Sequence, residues 1–260
     1  AAGSSTLKRP LARSYPSVIV APVRFCRAFS GFDFSRITGR FTDLSQEFQA
    51  NDNVDLGYDP SETHRDYPVL EYCPLIVSPL SERIARDLDI FDNQSGLVEV
   101  DTVNSWVRRR YTIAMLRANK ADTWAMRRWL HSRRGRQKAF WLPSFNDDLI
   151  LAQTTGLNPS TLTVKPFGAV QFYGGKLDLR IVLNDGRRFF AQVTSATVDG
   201  NGNEQLGLGS ALISPPISPS DVKQIAIMSL VRFDADKITI NYDSAGFASM
   251  TVSAIEVPDL

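Results

Sequence analysis

Cysteine and histidine are scarce in this chain. Its 260 residues include only Cys26, Cys73, His64 and His131 of these two types. Two cysteines cannot make a disulfide framework in a chain of this length, and neither lies in a CxxC or zinc-ligand spacing. We therefore expect reduced thiols, no bound metal and no cofactor.

Sequence motifs of catalysis are also missing. Neither histidine has a nucleophile motif nearby, and the sequence has no Gly-x-Ser-x-Gly, no His-Glu-x-x-His and no Walker loop. Carboxylate pairs occur at Asp147/Asp148 and at Asp234/Asp236, and such pairs can hold a metal or share a proton. In turns, however, aspartate more often accepts hydrogen bonds from backbone amides. We expect a protein that is not an enzyme.

Long apolar runs are absent too. Lys8, Arg9 and Arg13 precede only the short apolar run 18–22, which is too short for a signal peptide. No run approaches the length of a membrane span. The sequence predicts a soluble protein made in a cytoplasm, with no membrane partner.

Charge is balanced overall but unevenly distributed. The chain has 29 Lys and Arg against 28 Asp and Glu. Between Trp106 and Lys138, however, eleven basic residues face one acid, Asp122. The rest of the chain is therefore net acidic, and this basic segment needs its own explanation.

The first 90 residues have the pattern of an arm. Seven prolines interrupt short apolar pieces, and phenylalanines recur without a helical or strand period. Such a segment buries little apolar surface by itself. We predict that residues 1–90 form an extended N-terminal arm held against its own domain or a neighbour. A small irregular subdomain is the alternative.

After the arm, the pattern predicts strands around a single helix. Asn119 opens a helix over about 121–134, in which Met126 and Trp129 share the apolar side and Gly135 supplies the stop. Apolar residues elsewhere alternate as in strands. The predicted strands are 97–102, 107–115, 138–142, 149–153, 177–183, 187–195, 205–208, 225–231, 238–242 and 250–257.

Turn residues divide the second half of the chain. Asn184-Asp185-Gly186 is a strong hairpin signal, and prolines near 215–219 mark a boundary. We predict that residues 156–218 form a small inserted β domain. Residues 91–155 plus 219–260 then form a β-sandwich core with the flanking helix. The predicted fold class is α+β, mainly β.

Three pieces of the chain form a recognisable series. The first is Arg134-Gly135-Arg136 through Phe140-Trp141-Leu142-Pro143 to Asp147-Asp148-Leu149. The second is the insert that ends in Val193–Leu208, and the third is Val231–Asp236 with the following 238–242 strand and the final hairpin. In this order the pieces resemble distal-tail and minor tail proteins of long-tailed bacteriophages, and the resemblance covers roughly residues 95–258.

This resemblance implies a structural ring, usually hexameric, where the tail tube meets the tip or baseplate. Its partners would be identical subunits, a tail tube protein on one side and a tip or hub protein on the other. The protein would be assembled in the host cytoplasm and end in the virion tail tip. Such rings connect other components and do not catalyse.

The basic segment is where subunits would meet. Arginine and tryptophan are enriched in the centres of protein interfaces, and identical subunits in a ring present acidic surface to this basic one. The candidate interface residues are Arg108, Arg110, Arg127, Arg134 and Arg136.

Two other classes of function remain open. The arginines alternate with Trp106, Trp124, Trp129 and Trp141, which are the ingredients of a nucleic-acid-binding surface. No known nucleic-acid-binding motif frames them, so we regard this as the weaker alternative. A third class is a glycan-binding module, with contacts from Phe167, Phe172, Tyr173 and the turn at 199–203, although aromatics in small β domains more often belong to the core.

Overall fold

The chain folds into two compact units, residues 1–55 and residues 56–260. The computed structural model describes residues 26–28, 33–38, 41–45, 48–50, 62–71, 80–85, 88–92, 98–102, 108–117, 119–174, 176–244 and 247–257. The described part of the first unit consists of two antiparallel strand pairs. They are β1 (Cys26–Ala28) with β4 (Phe48–Ala50), and β2 (Asp33–Thr38) with β3 (Phe41–Ser45).

The second unit is built on one ten-stranded antiparallel sheet. Its strands are β7 (Ser81–Ala85), β10 (Arg108–Arg117), β11 (Phe140–Pro143), β12 (Thr161–Val164), β13 (Leu177–Leu183), β14 (Arg188–Val198), β15 (Glu204–Leu208), β16 (Val222–Phe233), β17 (Asn241–Ser244) and β18 (Phe247–Glu256). Their order is β12-β15-β14-β13-β16-β18-β10-β7, with β11 paired to β16 and β17 to β18. Two separate hairpins are β5 (Thr63–His64) with β6 (Tyr67–Pro68), and β8 (Leu88–Asp92) with β9 (Val98–Thr102). The predicted α+β, mainly β class is confirmed.

The helix α1 (Lys120–Arg133) lies beside β10 and β18. It begins where the side chain of Asn119 accepts a hydrogen bond from the backbone N–H of Asp122 at 2.8 Å. It ends where Arg134 takes a left-handed conformation with φ 53°. Gly135 follows with φ 60°, so the stop uses two left-handed residues rather than the glycine alone.

The sheet carries two main hydrophobic cores. One lies under α1, where the Trp129 ring meets Phe140 and Phe233 edge-on at centroid distances of 4.9 and 5.7 Å. The other lies among β12 to β16 and includes Leu179, Leu206 and other fully buried aliphatics. This second core comes largely from residues 156–218, together with Leu149, Leu151 and Ile225.

The same segment is nevertheless continuous with the main sheet. Strand β13 pairs with β16 from Asp178 opposite Met228 to Leu183 opposite Val222. The structure thus joins 156–218 to the sheet along a central strand, where the sequence predicted a separate inserted domain. The alternating residues of β16 supply both cores, which is why one long strand ties them together.

The structure also differs from the predicted arm. Val69 and Leu70 are fully buried, and the backbone N–H of Leu70 donates to the carbonyl of Trp141 at 2.8 Å. Strand β7 pairs with β10. Residues 62–71 and 80–85 therefore belong to the second unit, and residues 1–25 of the predicted arm lie outside the described residues.

The predicted strand at 149–153 is replaced by a short irregular segment. Only Leu151 forms a bridge, to Val164, although Ala152 donates to the carbonyl of Thr163 at 2.8 Å. The α2 helix (Ala169–Phe172) is a single turn that the sequence did not predict. Neither helix is long and apolar enough for a membrane span, among the residues described.

Candidate functional site

The Arg134-Gly135-Arg136 piece and the Asp234–Asp236 piece of the sequence meet in the structure. The guanidinium of Arg136 donates from Nε and Nη2 to the backbone carbonyl of Asp234, at 3.1 and 2.8 Å. The backbone N–H of Arg136 lies 3.3 Å from a carboxylate oxygen of Asp236. We call this contact, residues 134–136 with residues 234–236, the helix corner.

Gly135 is required at the helix corner for two reasons. Its φ of 60° is one that L side chains rarely adopt. A Cβ atom added there would also lie 3.0 Å from the Cα of Asp236, which is too close for an ordinary contact. The corner therefore fixes the end of α1 to the chain that leaves β16.

The five predicted interface arginines divide by their contacts. Arg110 reaches Asp234 of its own chain, with Nη2 3.8 Å from the carboxylate, and Arg136 is held in the helix corner. Arg127 lies over the ring of Trp124 at 5.3 Å. Arg134 is exposed. Arg108 lies on β10, and its side chain is outside the described residues.

The tryptophans of the basic segment are mostly packed inside. Trp129 is 0% exposed and Trp141 is 2% exposed, whereas Trp124 is 38% exposed. Arg133 is also buried, and its Nη1 donates to the carbonyl of Ala139 at 3.3 Å. Trp106 lies outside the described residues. The buried rings cannot stack on bases without unfolding this core.

The first carboxylate pair serves the backbone, as the sequence predicted. Asp147 accepts from the backbone N–H of Ile225 at 3.2 Å, and Asp148 accepts from that of Ile227 at 2.8 Å. Asp148 also accepts from the hydroxyl of Ser144. The pair therefore pins the irregular 144–149 segment to β16, and the expected structural reading of Asp147/Asp148 is confirmed.

A cleft of about 740 Å³ opens where two strands diverge along β16. Strand β18 pairs with β16 only up to Glu256, opposite Val231, and β13 begins its pairing at Met228. The two intervening residues of β16 line the cleft floor with Trp141. The volume falls within the range of ligand sites, roughly 300–1,000 Å³.

One wall of the cleft is stabilised by His64, a residue for which the sequence predicts no functional role. His64 Nε2 lies 2.6 Å from Asp178 Oδ1, and Arg65 Nη1 donates to Asp178 Oδ2 at 3.2 Å. The indole N–H of Trp141 donates to the carbonyl of His64 at 2.8 Å. These contacts hold the β5–β6 hairpin on the sheet. A separation of 114 residues hides this pair from any local sequence pattern.

The opposite wall carries a mixed-charge group. The guanidinium of Arg109 lies 3.6 Å from Glu82 and 3.8 Å from Glu256. Burial raises the pKa of Glu256, and Arg109 lowers it less than burial raises it. Burial alone would lower the pKa of Arg109, but the Glu256 carboxylate and its other neighbours raise it overall. This wall therefore holds two carboxylates that share one guanidinium.

Near the same cleft, the buried carboxylate of Glu204 accepts hydrogen bonds from backbone N–H groups at the start of α2. Glu204 Oε2 accepts from the backbone N–H groups of Phe167, Gly168 and Ala169 at 3.0, 3.2 and 3.2 Å. Burial alone would raise the pKa of Glu204, but these hydrogen bonds outweigh it and lower the pKa below its ordinary value.

The residues considered for glycan binding differ in exposure and in hydrogen bonding. Phe172 is 71% exposed and Tyr173 is 37% exposed, so neither belongs to the core. The carboxylate of Asp199, by contrast, accepts hydrogen bonds from Asn201 and Asn203 within its own turn. Tyr173 lines the cleft.

Metal-ligating side chains do not gather in groups of three or more anywhere in the described part of the chain. Comparison with models of known protein families gives no match for this chain, and no curated protein matches it either.

Proposed function

We propose that this chain is a structural, non-enzymatic subunit of a ring at the tail tip of a long-tailed bacteriophage. The ring, proposed as a hexamer of β-sandwich subunits, joins the tail tube to the tip or hub protein. It assembles in the host cytoplasm and ends in the virion.

The helix corner is the observation that carries this proposal. Its two halves lie about 100 residues apart, at the separation of Arg136 and Asp234, and both belong to the pieces that resemble tail proteins. The polar groups of the two halves bind each other, as is typical of a contact that stabilises the fold. A catalytic or base-reading site would instead keep such groups available to a ligand.

We assign the contact with a neighbouring subunit chiefly to Arg127 and Arg134. Arg127 is half-exposed on α1, and Arg134 is exposed directly after it. Arginines pair well with carboxylates across interfaces because the guanidinium is planar and always charged. The buried Trp129 and Trp141 support this reading over nucleic-acid binding.

Charge reversal tests the interface. In the Arg127→Glu/Arg134→Glu variant we expect ring assembly to be lost while the subunit stays folded, because removing one partner of a desolvated charge pair costs about 2–5 kcal/mol. The measurement is the mass of the assembly by light scattering, together with far-UV circular dichroism.

A Lys165→Glu/Lys223→Glu variant is the matched control. It makes the same change in net charge at exposed positions outside α1, and it should assemble like the wild type. Equal assembly by both variants would contradict the assigned interface. A wild-type monomer that instead retains DNA, with an affinity that falls steeply with salt, would favour the nucleic-acid alternative.

A further inference from the structure

One end of the cleft holds three polar side chains that the protein does not use. Tyr173, Lys176 and Gln192, whose side chains carry a hydroxyl, an ammonium and an amide group, all line the cleft. Among the described residues, none of these three groups has a hydrogen-bond or ion-pair partner. They come from the end of α2, the start of β13 and the facing strand β14.

The other charges of the cleft are already paired. The Asp178 carboxylate contacts His64 and Arg65, and the Glu256 carboxylate lies 3.8 Å from the Arg109 guanidinium. Of the charged residues that line the cleft, Lys176 is the one without an ion-pair partner among the described residues, and its side chain is exposed. A ligand that fills this end would gain by bringing one negative charge to it.

Phosphate is a poor candidate for that charge. Proteins bind phosphate most readily through backbone N–H groups at a helix N-terminus. The first amides of α2 are already occupied by the Glu204 carboxylate. A single ammonium can pair with one carboxylate without such amides, so we take a carboxylate as the negative group of the ligand.

The remaining surface suits a sugar ring. A half-exposed tyrosine offers a flat apolar face for the C–H side of a pyranose, and its hydroxyl can bond a sugar hydroxyl. The amide of Gln192 both donates and accepts, which matches hydroxyl groups. The floor is partly apolar, with Leu230 and Trp141. We propose that this end of the cleft, at Tyr173, Lys176 and Gln192, binds a saccharide carrying a carboxylate group.

The proposed site is independent of ring assembly, and the full chain serves for its test. The probes are a galacturonate tetramer, a hyaluronan tetrasaccharide and sialyllactose, with maltotetraose and lactose as neutral sugars. Isothermal titration calorimetry should detect at least one acidic saccharide and show weaker binding of the neutral ones. If no acidic saccharide binds, or the neutral sugars bind equally well, the proposal is overturned.

Two variants locate the binding. Tyr173→Ala and Lys176→Gln should each weaken the affinity for the acidic saccharide about tenfold or more. Lys176→Gln removes a hydrogen bond between charged groups, and Tyr173→Ala removes both a hydrogen bond and the apolar face of the ring. Phe172→Ala and Lys165→Gln are matched controls, because both side chains are exposed and neither lines the cleft. These controls should bind like the wild type.

Folding and specificity are checked alongside. Thermal melting must give the same midpoint for Tyr173→Ala and Phe172→Ala, so that lost affinity is not lost fold. Unchanged affinity in both site variants contradicts the proposal. So does preferential binding of a glutamate-rich peptide, which would point to a protein partner in the cleft.

Discussion

At the scale of single residues, Glu204 shows how the molecule uses a buried charge. The residue is 4% exposed, and its carboxylate accepts hydrogen bonds from three backbone N–H groups at the start of α2. A negative charge at a helix N-terminus meets amides that lack partners within the helix. The same contacts link β15 to the loop before α2, and so support Tyr173 at the cleft.

The ionised form of Glu204 should stabilise the fold above acidic pH. Its pKa lies below the ordinary 4.5 in the folded state, so the contribution is present above pH 4.5 and is lost as the pH falls through the folded-state pKa. Glu204→Gln should lower the free energy of unfolding by roughly 1–3 kcal/mol at neutral pH. Urea denaturation across a pH series measures this, and the difference from wild type should shrink in acid. A constant difference at every pH would refute the role of the charge.

The helix corner and the cleft differ in how far their residues could be recognised from sequence. Gly135 follows a helical pattern as its stop, and aspartates in a turn commonly accept backbone amides, so the structural roles of Gly135 and Asp147/Asp148 could be predicted. The amides that Asp147 and Asp148 bind nevertheless lie 78 and 79 positions away. His64 and Glu204 act through partners 114 and about 36 positions away. No periodicity records such contacts, because only the folded sheet brings the partners together.

At the scale of secondary-structure elements, local signals placed most of the chain well. The predicted strand at 177–183 and the hairpin turn that follows it appear at the expected residues, and α1 begins one residue earlier than predicted. Alternation and capping are properties of neighbouring residues, so the sequence contains them. The irregular 149–153 segment was mistaken for a strand because Asp147 and Asp148 bind β16 in place of a regular ladder.

The cap of α1 gives a test at this scale. Asn119→Ala removes the acceptor for the Asp122 N–H and should cost about 1 kcal/mol of folding stability. Asn119→Ser keeps a capping oxygen and should retain most of that stability. Urea-induced unfolding followed by tryptophan fluorescence measures both variants, since Trp129 lies in the core under α1. Equal loss in the two variants would mean that the cap hydrogen bond is not the cause.

At the scale of the whole molecule, one continuous sheet with two main cores replaces the predicted core and insert. Strand β16 is long enough to pair with β13 at one end and β18 at the other. The point where those two partners separate is also where the cleft opens. Strand order in a sheet depends on pairings between distant segments, which turn signals do not specify. This is why the fold class could be predicted and the domain division could not.

The proposed ring assembly is the central claim at this scale, and it is open to a direct measurement. The mass of the purified 260-residue chain by native mass spectrometry, with negative-stain electron microscopy of the same sample, reports the assembly without any assumption about its interface. We predict closed rings with the mass of several 28.9 kDa subunits, six for the proposed hexamer. A single species with the mass of one subunit, and no rings in the images at any protein concentration, would contradict it.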